Sequence, residues 1–557
     1  MKKRLGDLLV EAEKITADQL KEALALQKDS GKKVGQLLIE IGFITEEEIL
    51  EVLELQLGIP RVDLNSINIQ ESVVQKVPEN LCKKHNLVAF DFKNNKLSIA
   101  MSDPLNIYAI DDVKIICGFG VDIYISNSED INNVIDRFYS SQYVKRAAED
   151  LSKIQVDTSR EINKVQMDEI KASPAVRLVD SIIDNAQKMK ASDIHIEPFE
   201  DKIKIRNRVD GVLQESFSHD KGIYSSLISR IKILSGMNIA EKRIPQDGRI
   251  LTTINGRELE LRVSSLPTVH GEKVVMRVID KEGFMIDKNN LGIPQDELEK
   301  IERIIRSPYG IVLVTGPTGS GKSTTLYSML KSVNEVGKNI ITVEDPVEYV
   351  IEGINQVNIN TKAGLTFASG LRSILRQDPD IIMIGEIRDN DTADIAIRAA
   401  ITGHLVLSTI HTNDASSAVI RLLDMDIQPF LVANAITGII AQRLVRKTCI
   451  YCSTSYLATD YEKDILGVNK DKPLTLYKGK GCARCINSGY SGRTGIYEVI
   501  EMSKEHRGYI AEKRTIDEFR NLSISKGMKT LKQRATELVL NGITTMEELV
   551  KVAFLKE

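Results

Sequence analysis

Gly310-Ile311-Val312-Leu313-Val314-Thr315-Gly316-Pro317-Thr318-Gly319-Ser320-Gly321-Lys322-Ser323-Thr324 joins an apolar run to a glycine-rich turn. Residues 311–314 read as a strand buried on both faces. Residues 316–323 fit G-x-x-x-x-G-K-[ST], and a helix is predicted from Thr324 to Val333. In that order, strand, loop and helix make a phosphate cradle. Glycines let backbone N–H groups turn inward on phosphate oxygens, and the helix N-terminus adds its positive end. Lys322 reaches the β- and γ-phosphates and Ser323 can hold Mg²⁺. The candidate nucleotide-binding residues are Gly316, Pro317, Thr318, Gly319, Ser320, Gly321, Lys322, Ser323 and Thr324.

Around this stretch, three more short apolar strands alternate with helical patterns: 339–343, 381–384 and 404–408. Buried strands alternating with helices indicate an α/β, doubly wound, mostly parallel sheet. Ile381 to Glu386 is an apolar strand that ends in a carboxylate, placed to position Mg²⁺ or its water. Thr342 to Glu348 ends another strand with Glu344, Asp345 and Glu348, one of which could deprotonate an attacking water. His404 and His411 bracket the strand 405–408. A solvated loop would also account for the acidic cluster, and a satisfied polar residue beside a strand for each histidine.

The 557 residues allow several domains, each long enough to bury a core. Basic residues number 74 against 78 acidic, so bulk charge gives no reason to expect nucleic-acid binding. No apolar run approaches the ~20 residues of a spanning helix. Asp7, Glu11 and Glu13 interrupt the basic start and argue against a secretion signal, so a cytoplasmic protein is expected. The chain divides into an N-terminal unit (1–140), a polar flexible linker (141–172), a helix-and-strand unit (173–285) and the nucleotide unit (286–557).

Several signatures together resemble one family. GPTGSGKS, EDPVE at 344–348, GEIRD at 385–389 and the run from Ala399 to Thr412 are similar to the secretion ATPases of type II secretion and type IV pilus assembly, above all the PilB-like and GspE-like members. SDIHIEP at 192–198, RNRVDG at 206–211 and PQDGR at 245–249 extend the likeness, which covers about 173–557. The resemblance implies a RecA-like P-loop motor preceded by a PAS-like α/β domain. It also implies ATP and Mg²⁺ as ligands, Glu348 as the catalytic glutamate, Glu386 as the Walker B glutamate and His411 as a γ-phosphate sensor. It further implies a homohexamer in which arginines of the smaller domain reach a nucleotide on a neighbouring motor. Arg249 and Arg262 are the candidates, with Arg243 a third, and a surface ion pair is the alternative for each.

Six cysteines are too few for a disulfide scaffold. Cys449-x-x-Cys452 and Cys482-x-x-Cys485 form two tight turns, separated by residues 453–481. Two such turns make a closed Cys₄ site for structural Zn²⁺, with thiol redox chemistry as the alternative. The stretch from Gly481 to Ile496 also resembles the family's tetracysteine element, placed here at 445–495. Cys82 and Cys117 read as ordinary buried residues.

The first 56 residues repeat with an offset of 29: Leu5-Gly6-Asp7-Leu8-Leu9 matches Val34-Gly35-Gln36-Leu37-Leu38, and Ile15-Thr16 matches Ile44-Thr45. Thr16 and Thr45 stand where helix N-caps belong. The repeat resembles the MshEN domain, whose ligand is cyclic di-GMP, through Arg4, Leu5, Gly6, Leu9 and Gln27 in one motif and Gly35, Leu38 and Gln56 in the other. Glu13 departs from the glycine that the second repeat has at Gly42, and Val34 from a leucine. A helical docking module is the alternative.

The reading that results is a cytoplasmic ring ATPase, peripheral at the inner face of the membrane, driving pilus assembly through a platform protein, without nucleic acid. A type II secretion motor, a DNA-handling ring and a nucleotide-dependent switch are its rivals.

Overall fold

The computed structural model describes residues 5–30, 34–65, 67, 69–136, 138–139, 174–254, 256–279, 291–482 and 484–553. Arg4 and the expected linker 141–172 lie outside the described residues. The repeat folds as four helices, Leu5–Glu11, Ala17–Ser30, Val34–Ile41 and Glu46–Leu57. Both expected caps form. The Thr45 hydroxyl accepts the Glu48 N–H while the Glu48 carboxylate accepts the Thr45 N–H, and Thr16 with Gln19 does the same one repeat earlier. Leu9 and Leu38 are wholly buried in this unit's core, and a Cβ on Gly6 would stand 2.5 Å from Leu20 Cδ1. The motif glycine therefore permits close helix packing.

Three strands follow: β1 (Leu87–Lys93), β2 (Lys96–Met101) and β3 (Gly120–Ile125). β1 and β2 are antiparallel, and β3 returns parallel to β2 through helix Ile107–Cys117. Cys82 is buried as expected, and burial pushes its thiol up to about 12. Cys117 is only half-buried, at the C-terminal end of its helix, which corrects the expectation.

Helix Pro174–Lys188 precedes β4 (Asp193–Pro198), β5 (Lys202–Val209), β6 (Val212–Asp220), β7 (Gln246–Ile254), β8 (Arg257–Thr268) and β9 (Gly271–Ile279). These form a six-stranded antiparallel sheet in the order β6-β5-β4-β9-β8-β7. Leu178, Val179 and Ile182 of the helix share a core with Ile194 and Ile196, so one sheet face is covered by helix. Arg249 and Arg262 are direct partners across the β7–β8 pair, side by side on one face.

The last unit contains β10 (Gly310–Thr315), β11 (Ile340–Glu344), β12 (Asn355–Asn358), β13 (Ile381–Ile384), β14 (Leu405–Ile410), β15 (Ile436–Thr448), the small pair β16 (Ser453–Leu457) and β17 (Thr475–Gly479), and β18 (Tyr490–Glu501). The main sheet runs β12-β11-β13-β14-β10-β15-β18, parallel except for β18. Ile311 to Val314 are wholly buried, which matches the double-sided burial read from their apolar run. Parallel strands put all their C-terminal ends at one edge. The segments after β10, β11, β13 and β14 therefore meet there, where ligands of such sheets bind.

Candidate functional site

Helix Lys322–Val333 starts two residues earlier than its spacing suggested, so Lys322 and Ser323 occupy its first turn. Gly319 and Gly321 adopt φ of +80° and +89°, a region costly for any other residue. A Cβ on Gly316 would lie 2.4 Å from the Gln442 carbonyl oxygen, and one on Gly321 2.9 Å from Gln442 Nε2. Gln442 of β15 thus forms the floor of the loop, and its Oε1 accepts the Thr325 hydroxyl at 2.7 Å. Lys322 Nζ donates to the carbonyls of Gly316 and Pro317 at 2.8 and 3.0 Å. Burial holds this ammonium below its usual value, against the pull of Glu386, and Arg443 adds to the lowering. Ser320 Oγ is buried without a hydrogen-bond partner. That donor, the inward-turned loop and the lysine fit a polyphosphate.

Glu386 and His411 meet at the same edge, with Glu386 Oε2 3.4 Å from His411 Nε2 and Oε1 2.5 Å from Arg388 Nη2. Glu348 also lies there. Its backbone N–H donates to the Tyr327 hydroxyl at 3.0 Å, and its carboxylate takes both arms of Arg262 at 3.2 and 2.8 Å. The expectation put Arg262 on a neighbour's nucleotide; the contact seen is within one chain. Arg249 is exposed and 3.6 Å from Glu260, and Arg243 pairs with nearby Glu241.

Two expected ligand contacts are corrected. Glu344 is buried and accepts from Thr342 Oγ1 at 2.6 Å, Gln356 Nε2 at 3.1 Å and the Tyr327 hydroxyl. These three donors hold it as a buried structural anchor. His404 precedes β14, whereas the phosphate loop follows β10. Its carbonyl accepts the Gly310 N–H, and its ring donates to the Ala399 carbonyl at 3.0 Å. A six-residue strand rising about 3.3 Å per residue separates it from the loop edge. Asp345 is exposed at the loop edge beside a cis peptide to Pro346.

Sequence reading missed Tyr327, Gln442 and Arg443. The last is buried and donates to Asn413 O and Oδ1 at 3.3 and 3.1 Å. A signal existed for two of them: Gln442-Arg443 interrupts an otherwise apolar run in the β15 stretch. Tyr327 had none, since an aromatic on an amphipathic helix reads as core.

Among the described residues, Cys449, Cys452, Cys482 and Cys485 bring four sulfurs within 4.8 Å of one another. Sγ separations are 3.8 Å for 449–482, 3.8 Å for 452–485 and 3.7 Å for 482–485. A tetrahedral zinc with Zn–S bonds of about 2.3 Å sets sulfurs about 3.8 Å apart, whereas a disulfide needs about 2.05 Å. The donor set fits zinc. Burial raises the Cys485 thiol, but the N–H groups of Cys482 and Gly489 point at its sulfur and outweigh that, leaving it below its ordinary value.

The family model for "Type II/IV secretion system protein" matches residues 168–551, and that for the "MshEN domain" matches 57–143, beginning where the tandem repeat ends. The chain is 41% identical to the type IV pilus assembly ATPase PilB of Myxococcus xanthus, over 99% of each chain. It is 40% identical to type II secretion system protein E of Xanthomonas campestris, over 99% of this chain and 98% of that one. The Legionella pneumophila ATPase DotB shares the fold, with a TM-score of 0.51 at 21% identity over 68% of this chain and 95% of that one. Among the described residues no helix is long and apolar enough to cross a membrane. A phosphate cradle at the carboxyl edge of a parallel sheet, flanked by Glu348, Glu386 and His411, thus accompanies a match over more than half the chain, and the protein belongs to the type II/IV secretion system protein family.

Proposed function

We propose that this chain is a hexameric ATPase that hydrolyses ATP to ADP and phosphate to drive type IV pilus assembly at the cytoplasmic face of the inner membrane. The observation that carries the reading is convergence. Lys322 and Ser323, Glu386 with His411, and Glu348 come from four different strand ends to one edge, and Arg262 enters from another sheet.

Lys322 and the loop amides take the β- and γ-phosphates, and Ser323 and Glu386 are the residues that would hold Mg²⁺. Magnesium, when bound, neutralises charge building on the phosphate oxygens. Glu348 accepts the proton of the attacking water at a carboxylate oxygen. Arg262 must release that oxygen first, and its guanidinium is then free to stabilise charge on the γ-phosphoryl oxygens. The four cysteines hold structural zinc with no open position for chemistry. We divide the chain into a regulatory unit (1–140), a linker (141–172), the six-stranded unit (173–285) and the motor (286–557). An inner-membrane platform protein is the partner. Cyclic di-GMP is proposed for the N-terminal unit on the strength of the MshEN match, although Leu9 and Leu38 spend their side chains on the interior.

Glu348→Gln should still bind ATP while phosphate release falls about 10²- to 10⁴-fold. Near-normal turnover, or a chain that stays monomeric with Mg-ATP, defeats the proposal. Identities of 41% and 40% to a pilus and a secretion relative keep a type II secretion motor as the second reading. Deleting the gene and scoring surface pili against exported protein separates the two. Elemental analysis of protein purified under reductant should give one zinc per chain, and calorimetry of the full chain with cyclic di-GMP should show saturable heat.

A further inference from the structure

Arg484 and Tyr451 occupy the same place in the two cysteine turns, the residue just before the second cysteine of each. The Arg484 guanidinium lies 3.7 Å over the Tyr451 ring. Its outer nitrogen reaches into the N-terminal unit, 2.5 Å from Asp130 Oδ1 and 3.3 Å from Glu129 Oε1. Unlike most ion pairs among the described residues, the Arg484–Asp130 pair is buried, with side chains 9% and 7% exposed. A pair so enclosed is not the loosely held surface contact that usually contributes little.

Asp130 is held in place by its own turn. Asn127 Nδ2 donates to Asp130 Oδ2 at 2.6 Å, and Asn127 Oδ1 accepts the Asp130 N–H at 2.7 Å. The Ser128 N–H donates to Glu46 Oε1 at 2.9 Å, which ties this turn to the first turn of helix Glu46–Leu57 in the second repeat. A continuous set of polar contacts therefore runs from the helical repeat through 127–130 to a residue inside a cysteine turn.

We propose that the four-cysteine element is the dock of the N-terminal unit. Metal, by drawing the two turns together, sets Tyr451 and Arg484 face to face and so creates the receptor for Glu129 and Asp130 of the same chain. Metal occupancy and the placement of the N-terminal unit are then coupled, which gives a closed metal site a mechanical role. The coupling rests on reading the cysteines as a metal site, whereas the Arg484–Asp130 dock does not.

Hydrogen exchange on the full-length zinc-loaded protein tests both parts. Arg484→Ala and Asp130→Asn should each speed exchange about tenfold or more in two segments at once, 126–131 and 482–489. Exchange across 87–101 should stay unchanged as a check on folding. The charge swap Asp130→Arg with Arg484→Asp should restore protection in both segments. If Arg484→Ala leaves 126–131 as slow as wild type, the dock is wrong. Chelation, followed by a zinc-responsive dye, should deprotect 126–131, a segment without a metal ligand. Zinc released with 126–131 still protected overturns the coupling and leaves the dock standing. Protein that never contained metal removes the coupling along with the metal reading, and the variants still decide the dock.

Discussion

Arg262 grips Glu348 with both arms, Nη1 3.2 Å from one carboxylate oxygen and Nη2 2.8 Å from the other, although the arginine stands on β8 of the six-stranded sheet and the glutamate in the loop after β11 of the other sheet. Both side chains are about one third exposed, so the pair contributes at most about 1 kcal/mol to stability. In the proposed mechanism its weight falls on turnover. Arg262→Ala should lower kcat about 10²-fold or more with little change in Tm, because one guanidinium is lost from the charge-stabilising set. Arg262→Lys should fall between, since an ammonium cannot reproduce the two-armed geometry. Steady-state phosphate release gives the comparison, and wild-type kcat in Arg262→Ala would remove the arginine from the mechanism.

Tyr327 links two of the carboxylates that look equivalent in sequence. Its hydroxyl donates to buried Glu344 and accepts the Glu348 N–H. Tyr327→Phe leaves Glu344 with one donor fewer in an enclosed site, a cost of about 1–3 kcal/mol. It also frees the loop that carries Glu348. We expect kcat to fall about tenfold, because a small displacement of the base is enough, while KM for ATP holds within about twofold. A shift confined to KM would mean that the tyrosine supports the phosphate loop and not the glutamate.

Much of this could be read in the sequence because the decisive features are local. A buried parallel strand shows as an unbroken apolar run, and a phosphate loop as spaced glycines before a lysine. Both depend on neighbours within about fifteen residues of β10. What escaped was set by strand direction and by distant packing. His404 and His411 flank one strand equally in sequence, yet a parallel strand carries only its C-terminal end to the loop edge, so only His411 reaches Glu386. Glu344 and Glu348 differ because β11 ends at Glu344, and the side chain of its last residue turns into the core toward Tyr327 and Gln356. The Arg262 contact spans 86 positions in the chain, and no local pattern encodes it.

His506 gives the protein a defined acid sensitivity. It is buried at the start of helix Lys504–Ala511, where its Nδ1 accepts the Ser503 N–H at 3.1 Å, so Nε2 carries the proton facing Ser523 Oγ at 3.1 Å. Burial, with Lys526 adding and Glu505 opposing, holds its pKa below the ordinary 6.5. The unfolded chain therefore binds the proton more readily than the folded one. The stability contribution is full above about pH 6.5 and falls away as pH drops toward the folded-state value. His195 is shifted the same way by burial and by Lys273 and Arg208, so it adds to the slope. Between pH 7.5 and 5.5, Tm of His506→Asn should fall less than that of wild type. Equal falls would show that the ring is protonated in the folded state without cost.

Glu13 and Gly42 hold the same place in the two repeats, and both backbones turn left-handed there, with φ of +55° and +82°. Gly42 adopts this freely. Glu13 carries a Cβ against its own carbonyl, at a cost of about 1–2 kcal/mol, and its side chain is exposed. The turn forms regardless, because the Lys14 N–H donates to the Leu9 carbonyl at 3.1 Å, as the Phe43 N–H does to Leu38 at 3.0 Å. Glu13→Gly relieves the strain and loses part of the gain to the greater freedom of glycine in the unfolded chain. The net should be a stabilisation of about 0.5–1 kcal/mol in the helical repeat. Hydrogen exchange at the Lys14 amide reads this directly and should slow about two- to fivefold, with the Phe43 amide as the internal control. Faster exchange at Lys14 in the variant would show that the glutamate side chain holds the turn and outweighs its backbone cost.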